Sequence, residues 1–357
     1  MDEIIQPTGK NRTPAKKRFV AFYTRLSVRL ILRLIVPAVV LLFLIHKADI
    51  DQIKTILSKT DIRLFAFSFL ILCLRNVIGG FRSQVLLRQK NHYFPLGMLT
   101  RIYFIAAFFN LFMPTVVGGD IARGYYFFRY SKGKMETVSS IIVERILGIT
   151  SLMVLALFSG VLVIIVDLGI LSKIVLRLFI VSGAGCVLIS LMFFNKQWAS
   201  VLQRYIPQRI QKKITLLIKI LKDVVHYGTT PVVLFYGLLI SSVFQIVGFI
   251  AIYTLAISVG STTAFINFWI LLPVIWVFSM LPISINGLGL REVSFIYLFS
   301  IVGMKEEIGM AICVLSFVQI ALLGIMGSIF FLFEGSSLSN IFQFRKSTYT
   351  NPDTIKE

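Results

Sequence analysis

Two stretches of this sequence carry a proline, a glycine and an arginine at the same spacing. Met-Pro-Thr-Val-Val-Gly-Gly-Asp-Ile-Ala-Arg runs from Met113, and Leu-Pro-Ile-Ser-Ile-Asn-Gly-Leu-Gly-Leu-Arg runs from Leu281. Pro114 matches Pro282, Gly119 matches Gly287, Arg123 matches Arg291 and Phe127 matches Phe295, each at an offset of 168, so the shared pattern is P-x4-G-x3-R. An arginine offers a permanent charge and a planar fork of donors that suits a phosphate or a carboxylate. Helices restarting near Asp120 and near Arg291 would add free backbone N–H groups and a positive dipole end, which also favour an anion. The expected substrate-binding set is therefore Arg123, Arg291, Asp120, Glu144, Arg145 and Glu292. Pro114, Gly118, Gly119, Pro282, Asn286, Gly287 and Gly289 are the backbone or hinge positions of the two breaks. No catalytic residues are assigned.

These residues have to be positioned by apolar helices. Of 357 residues, 57% are hydrophobic and 15% charged, with a mean hydropathy of +0.87. That is more apolar surface than one soluble core can bury, so the fold class expected is an all-α polytopic integral membrane protein. Spans of about 20 apolar residues fall near 30–46, 62–80, 138–166, 174–194, 232–258 and 308–333. The excess of 36 Lys+Arg over 16 Asp+Glu belongs in cytoplasmic loops, and argues against nucleic acid as the partner. The basic tail 1–29 and the tail 334–357 are placed in the cytoplasm, with 30–333 as the membrane domain of an inner, cell membrane protein; the start reads as uncleaved. The mixed-charge connection 47–61 is placed outside, and the loop with Arg82, Arg88 and Lys90 inside. The connector 195–231 is basic and amphipathic, the pattern of a cytoplasmic helix lying in the interface.

Residues 99–128 and 264–302 do not read as simple spans. The first is apolar but broken by Pro114 and Gly118-Gly119, with basic stretches on both sides; the second is broken by Pro282 and Asn286 to Gly289. Each is expected to be a re-entrant hairpin, the first from the cytoplasm and the second from outside. Non-helical backbone at membrane depth is tolerated only inside protein or along a wet cavity. A shared motif on two oppositely inserted hairpins is the signature of inverted repeats meeting near the midplane. Charge at that depth is expensive, so Arg123 and Arg291 either bind substrate or tie the hairpins by pairing with the neighbouring acids. Arg75 reads as a snorkelling residue near the inner interface, Asn110 as a partner for backbone freed at Pro114, and Tyr125 to Phe128 as packing or acyl-groove residues. Cys73, Cys186 and Cys313 are scattered, as are His46, His92 and His226, so neither a disulfide framework nor a metal site is expected, and no cofactor is assigned.

The segments Pro114 to Arg123, Glu144-Arg145 and Leu281 to Glu292 resemble the signature segments of the lysylphosphatidylglycerol synthase transmembrane-region family, and the resemblance spans nearly the whole chain. It implies a flippase-like membrane unit handling lipid, with Asp120, Arg123, Glu144, Arg145, Arg291 and Glu292 at the centre. It also implies a stand-alone form, because no aminoacyl-transferase domain follows the last span. The first motif departs from the family pattern in lacking a glycine soon after the proline. The expected function is transport of an anionic or polyprenyl-linked lipid between leaflets. Two alternatives stay open: a non-transporting assembly or regulatory subunit of an envelope lipid or polysaccharide pathway, and a lipid-modifying transferase, which would need a catalytic constellation not recognisable here. Membrane lipids are the expected partners, with a second copy or envelope-biosynthesis proteins as further ones.

Overall fold

A computed structural model describes residues 50–112, 118–131, 136–166, 184–185, 230–279 and 289–334. The expected spans 30–46 and 174–194, nearly all of the connector 195–231, and the break residues Pro114, Pro282, Asn286 and Gly287 lie outside these, apart from 184–185 and 230–231. The described residues form α1 (Ile50–Ser58), α2 (Ile62–Gln89), α3 (Leu96–Phe112), α4 (Gly118–Tyr130), α5 (Glu136–Val166), α6 (Pro231–Ser258), α7 (Phe265–Ser279), α8 (Leu290–Ile301) and α9 (Glu306–Phe333). No strand occurs among them. Four helices, α2, α5, α6 and α9, are long and apolar enough to cross a membrane.

Helix α2 corrects one boundary. A span ending at residue 80 with Arg82 and Arg88 in the following loop was expected, but the helix continues to Gln89. Arg82 is buried within it; local hydropathy misses this, because the charge is compensated by distant partners. Residues 47–61 are likewise no plain loop, since α1 occupies Ile50–Ser58, and its Ile56 and Leu57 pack on the apolar core. Asp61 caps α2, its carboxylate accepting from the Arg63 N–H at 2.8 Å, which satisfies a donor that the helix start would leave orphaned.

Among the described residues the helix order repeats. A 28-residue helix, two short helices and a long one (α2 to α5) are followed by a second 28-residue helix, two short helices and a long one (α6 to α9). A pair of short helices flanks each expected break, α3 and α4 about 113–117 and α7 and α8 about 280–288, and the two members of each pair pack together. The halves interlock: α2 packs along α6, α3 along α9, and α7 along α5.

The α2–α6 seam reads every seventh residue of the first half. The Asp61 N–H bonds the Ser258 carbonyl, Ser68 the Ala251 carbonyl at 2.8 Å, Arg75 the Phe244 carbonyl at 3.2 Å, Arg82 the Ser241 hydroxyl at 3.2 Å, and Gln89 the Thr230 hydroxyl. As the donor number rises along α2 the acceptor number falls along α6, so the two helices, and with them the two halves, run antiparallel. Seven-residue spacing keeps one face of a helix on its neighbour. The exposed Phe67, Leu70, Leu74 and Phe81 occupy the opposite face of α2, apolar where a bilayer would cover it.

Two apolar clusters flank this seam. Under the first hairpin, Leu99, Ile102, Ile105 and Phe109 of α3 meet Tyr126 and Phe127 of α4 and Phe331 of α9. Tyr126 and Phe127 are thus packing residues. Under the second, Phe268 of α7 stacks within 4.6 Å of Phe299 of α8, which lies 4.3 Å from Phe295. Pro273 sits inside α7 and has no N–H to give the Trp269 carbonyl four residues back. The Ser159 hydroxyl of α5 lies 3.0 Å from that carbonyl and supplies the donor.

Candidate functional site

The six charged residues expected at the site fall into two clusters of unequal depth. Glu144, on α5, is 1% exposed and is the hub of the first. It accepts from Ser83 at 2.5 Å, from the Tyr103 hydroxyl at 2.6 Å, from Arg82 at 3.4 Å and from Arg123. Arg123, 7% exposed, also donates to Asp120 at 3.3 Å and lies 4.3 Å from the centre of the Tyr103 ring. Asp120 in turn pairs with Arg145, which is 42% exposed. Four helices converge here: α2 brings Arg82 and Ser83, α3 Tyr103, α4 Asp120 and Arg123, α5 Glu144 and Arg145. A buried carboxylate is tolerable only when charge and hydrogen bonds both meet it, and Glu144 has both.

The second cluster is simpler. Arg291 reaches Glu292 with both Nε and Nη2, at 3.0 and 2.7 Å. The other oxygen of Glu292 accepts the Gly289 N–H at 2.6 Å and so caps α8. Gly289 holds φ at 84°, a conformation that favours glycine over any L side chain. Arg291 keeps 26% of its side chain exposed. At the offset that aligns the motifs, the second half carries Ile250, Ala251, Leu271 and Ile312 where the first has Arg82, Ser83, Tyr103 and Glu144. The arginine is repeated; its buried polar shell is not.

All six residues are paired with one another, then, and two of the backbone donors expected to be free for an anion are taken. The Gly289 N–H goes to Glu292, and the Gly119 N–H to Asn110 at 2.7 Å. Gly119 has to be glycine for this approach, because a Cβ would sit 2.7 Å from the Ala106 carbonyl oxygen. Asn110 therefore bonds backbone at the first break, the kind of role expected for it. Gly118 opens α4 and is buried.

A cavity of about 570 Å³ lies between the halves and joins the clusters. Arg75, Arg82, Arg123, Arg145 and Arg291 line it against the carboxylates of Asp120 and Glu144. The rest of the wall is largely apolar, with Leu72, Leu152, Ile275, Trp276 and Leu323 among the lining residues. Arg75 corrects the snorkelling expectation. It is the fourteenth residue of the 28 in α2, and Phe244, whose carbonyl it bonds, is the fourteenth of the 28 in α6. At 1.5 Å per residue that point is about 20 Å from either helix end, and the side chain turns inward to the Phe244 carbonyl and the Phe244 and Trp276 rings instead of running along the helix toward an end.

Arg82, Ser83 and Tyr103 are the site residues that reading along the sequence passed over. For Arg82 the signal was the seven-residue polar row Ser68, Arg75, Arg82, Gln89 in an otherwise apolar stretch, invisible to a search for loops; Ser83 and Tyr103 carry none. Among the described residues no group of three His, Cys, Asp or Glu is placed to hold a metal ion.

A family model described as the lysylphosphatidylglycerol synthase TM region matches residues 30–327, most of the chain. Comparison with curated proteins returned no match, nor did comparison with solved structures. The match agrees with the resemblance carried by the motifs, and the chain belongs to that family.

Proposed function

Because the chain is a multi-pass membrane protein of the lysylphosphatidylglycerol synthase TM region family, we propose that it moves an anionic or polyprenyl-linked lipid between leaflets. The head group passes through the cavity between the antiparallel halves while the chains stay in lipid. The observation that carries this reading is the cavity itself: among the described residues five arginines line it against the carboxylates of Asp120 and Glu144, with Glu292 behind Arg291 and apolar wall beside them, between helices long enough to span a bilayer. An unneutralised excess of guanidinium at depth is costly, and an anionic head group would offset it. Inverted halves around one site are the arrangement by which alternating access is achieved in many transporters. On this reading the protein performs no covalent chemistry, sits in the cell membrane with both termini cytoplasmic, and takes membrane lipids as partners. The hairpins re-enter from opposite sides, moving about Gly118, Gly119 and Gly289.

A second reading is favoured by a specific observation. The complete pairing of Asp120, Arg123, Glu144 and Arg145 is what a non-transporting assembly or regulatory subunit would need to tie its helices together. Reconstitution into vesicles with a fluorescent anionic phospholipid, bleached from outside by a membrane-impermeant reductant, separates the two. Transport predicts that bleaching proceeds past the outer leaflet with the wild type and stops at about half with folded Arg291→Gln. Arrest at half with wild type favours the subunit reading.

A further inference from the structure

Every arginine of the cavity except one has a carboxylate partner. Arg82 and Arg123 share Glu144, Arg145 has Asp120, and Arg291 has Glu292. Arg75 has none among the described residues. Its Nε donates to the Phe244 carbonyl, and its guanidinium lies 4.0 Å from the centre of the Phe244 ring and 5.2 Å from that of Trp276. The packing that holds it is close: a Cβ on Gly248 would come within 3.1 Å of Arg75 Nε and closer still to Trp276. Its orientation is thus set by a backbone carbonyl and two aromatic faces, none of which cancels its charge. The two Nη groups have no partner among the described residues, and the side chain lines the cavity.

A lone cation at the midpoint of two spanning helices is among the most expensive placements a membrane protein can hold. Stacking on the two aromatic rings offsets part of that cost. The remaining donors form a fixed fork, the geometry that takes two oxygens of one phosphate. Arg82, 5.0 Å from the centre of the same Phe244 ring, lies one seam position further along α2 and adds to the field.

We propose that Arg75 is the anchor for the phosphate group of an anionic lipid, held where the two halves cross. This rests on the lipid reading above and assigns the binding of the head group to a residue outside the repeated motif. Arg123 and Arg291 then flank the path, and Arg75 marks its midpoint.

The test is binding of NBD-labelled phosphatidylglycerol, against NBD-labelled diacylglycerol, to the full chain in detergent, with folding checked by gel filtration and thermal unfolding. The wild type should prefer the phospholipid at least tenfold, Arg75→Gln should lose that preference, and Arg75→Lys should keep part of it. Leu72→Glu, one turn away on the cavity wall, leaves Arg75 in place but gives it a carboxylate; it should abolish the preference too, and it serves if Arg75→Gln does not fold. A preference retained by Leu72→Glu or by folded Arg75→Gln overturns the anchor and leaves lipid binding standing. No preference in the wild type overturns both. Displacement of the lipid by millimolar inorganic phosphate would make free phosphate the ligand and also overturn the lipid anchor. Arg75-dependent binding without translocation in vesicles would sink transport alone.

Discussion

Arg123 and Arg291 stand at equivalent positions of a repeated motif and live in opposite surroundings. Arg123 is 7% exposed and shares the α5 carboxylate of Glu144, which also takes Arg82 and Ser83 of α2 and Tyr103 of α3. Arg291 is 26% exposed and, among the described residues, bonds only the adjacent Glu292, on its own helix. The same motif is a structural knot in one half and an accessible cation in the other. The motif carries the arginine twice, while the residues around it differ, with Glu144 facing one copy and Ile312 standing at its counterpart. A site between such halves need not be symmetric in energy even though its scaffold is symmetric in topology.

The largest effect that would sharpen this contrast is at the knot. Glu144→Gln leaves Arg82 and Arg123 buried without their common counter-charge, and breaking a buried pair in this way costs about 3–5 kcal/mol. The variant should unfold at markedly lower temperature in detergent, or fail to accumulate. Glu292→Gln removes the corresponding partner of a more exposed arginine and weakens one helix cap, which together amount to about 1–2 kcal/mol. Equal shifts in the two unfolding temperatures would break the comparison.

The arginines themselves should separate by kind of defect. Arg123→Gln is expected to lower stability, by leaving Glu144 short of charge, before any functional loss can be read. Arg291→Gln should unfold within a few degrees of wild type yet hold anionic lipid less tightly. Two variants with equal stability and equal lipid loss would mean that the halves contribute alike.

Smaller effects probe the scaffold. Gly289→Ala forces an L side chain to hold φ near 84°, at a cost of about 1–2 kcal/mol. Ser68→Ala removes one bond of the α2–α6 seam, where Gln319 also reaches Ser68 at 3.1 Å, and should cost about 1 kcal/mol. Thermal unfolding of both, ranked against Glu292→Gln, tests whether the seam or the cap carries more of the second half.

Much of the scaffold was legible in the sequence because it rests on local signals. Apolar length placed the four spans of the described residues, and Pro, Gly and charge flanks marked the two breaks that became α3–α4 and α7–α8. The motif offset disclosed the repeat, and the antiparallel α2–α6 seam shows the inversion in structure. Three things resisted, each for a non-local reason. The last turns of α2 looked like a basic loop because Arg82 is compensated by Ser241 and Glu144, 159 and 62 residues away. Arg75 looked like a snorkelling residue for want of a known helix end; only the full length of α2 puts it at the midpoint. Tyr103 carries no motif, and its role at Glu144 exists only once α3 lies against α2.

The most direct test is the identity of the lipids that stay with the purified protein, measured by mass spectrometry for wild type and for Arg291→Gln, both shown to be folded. An arginine-lined cavity that accepts a head group predicts one anionic or polyprenyl-linked lipid enriched over the bulk in wild type and reduced in Arg291→Gln, which keeps Arg75. The same bulk lipid profile in both would contradict it, and would leave the arginines as ties between helices.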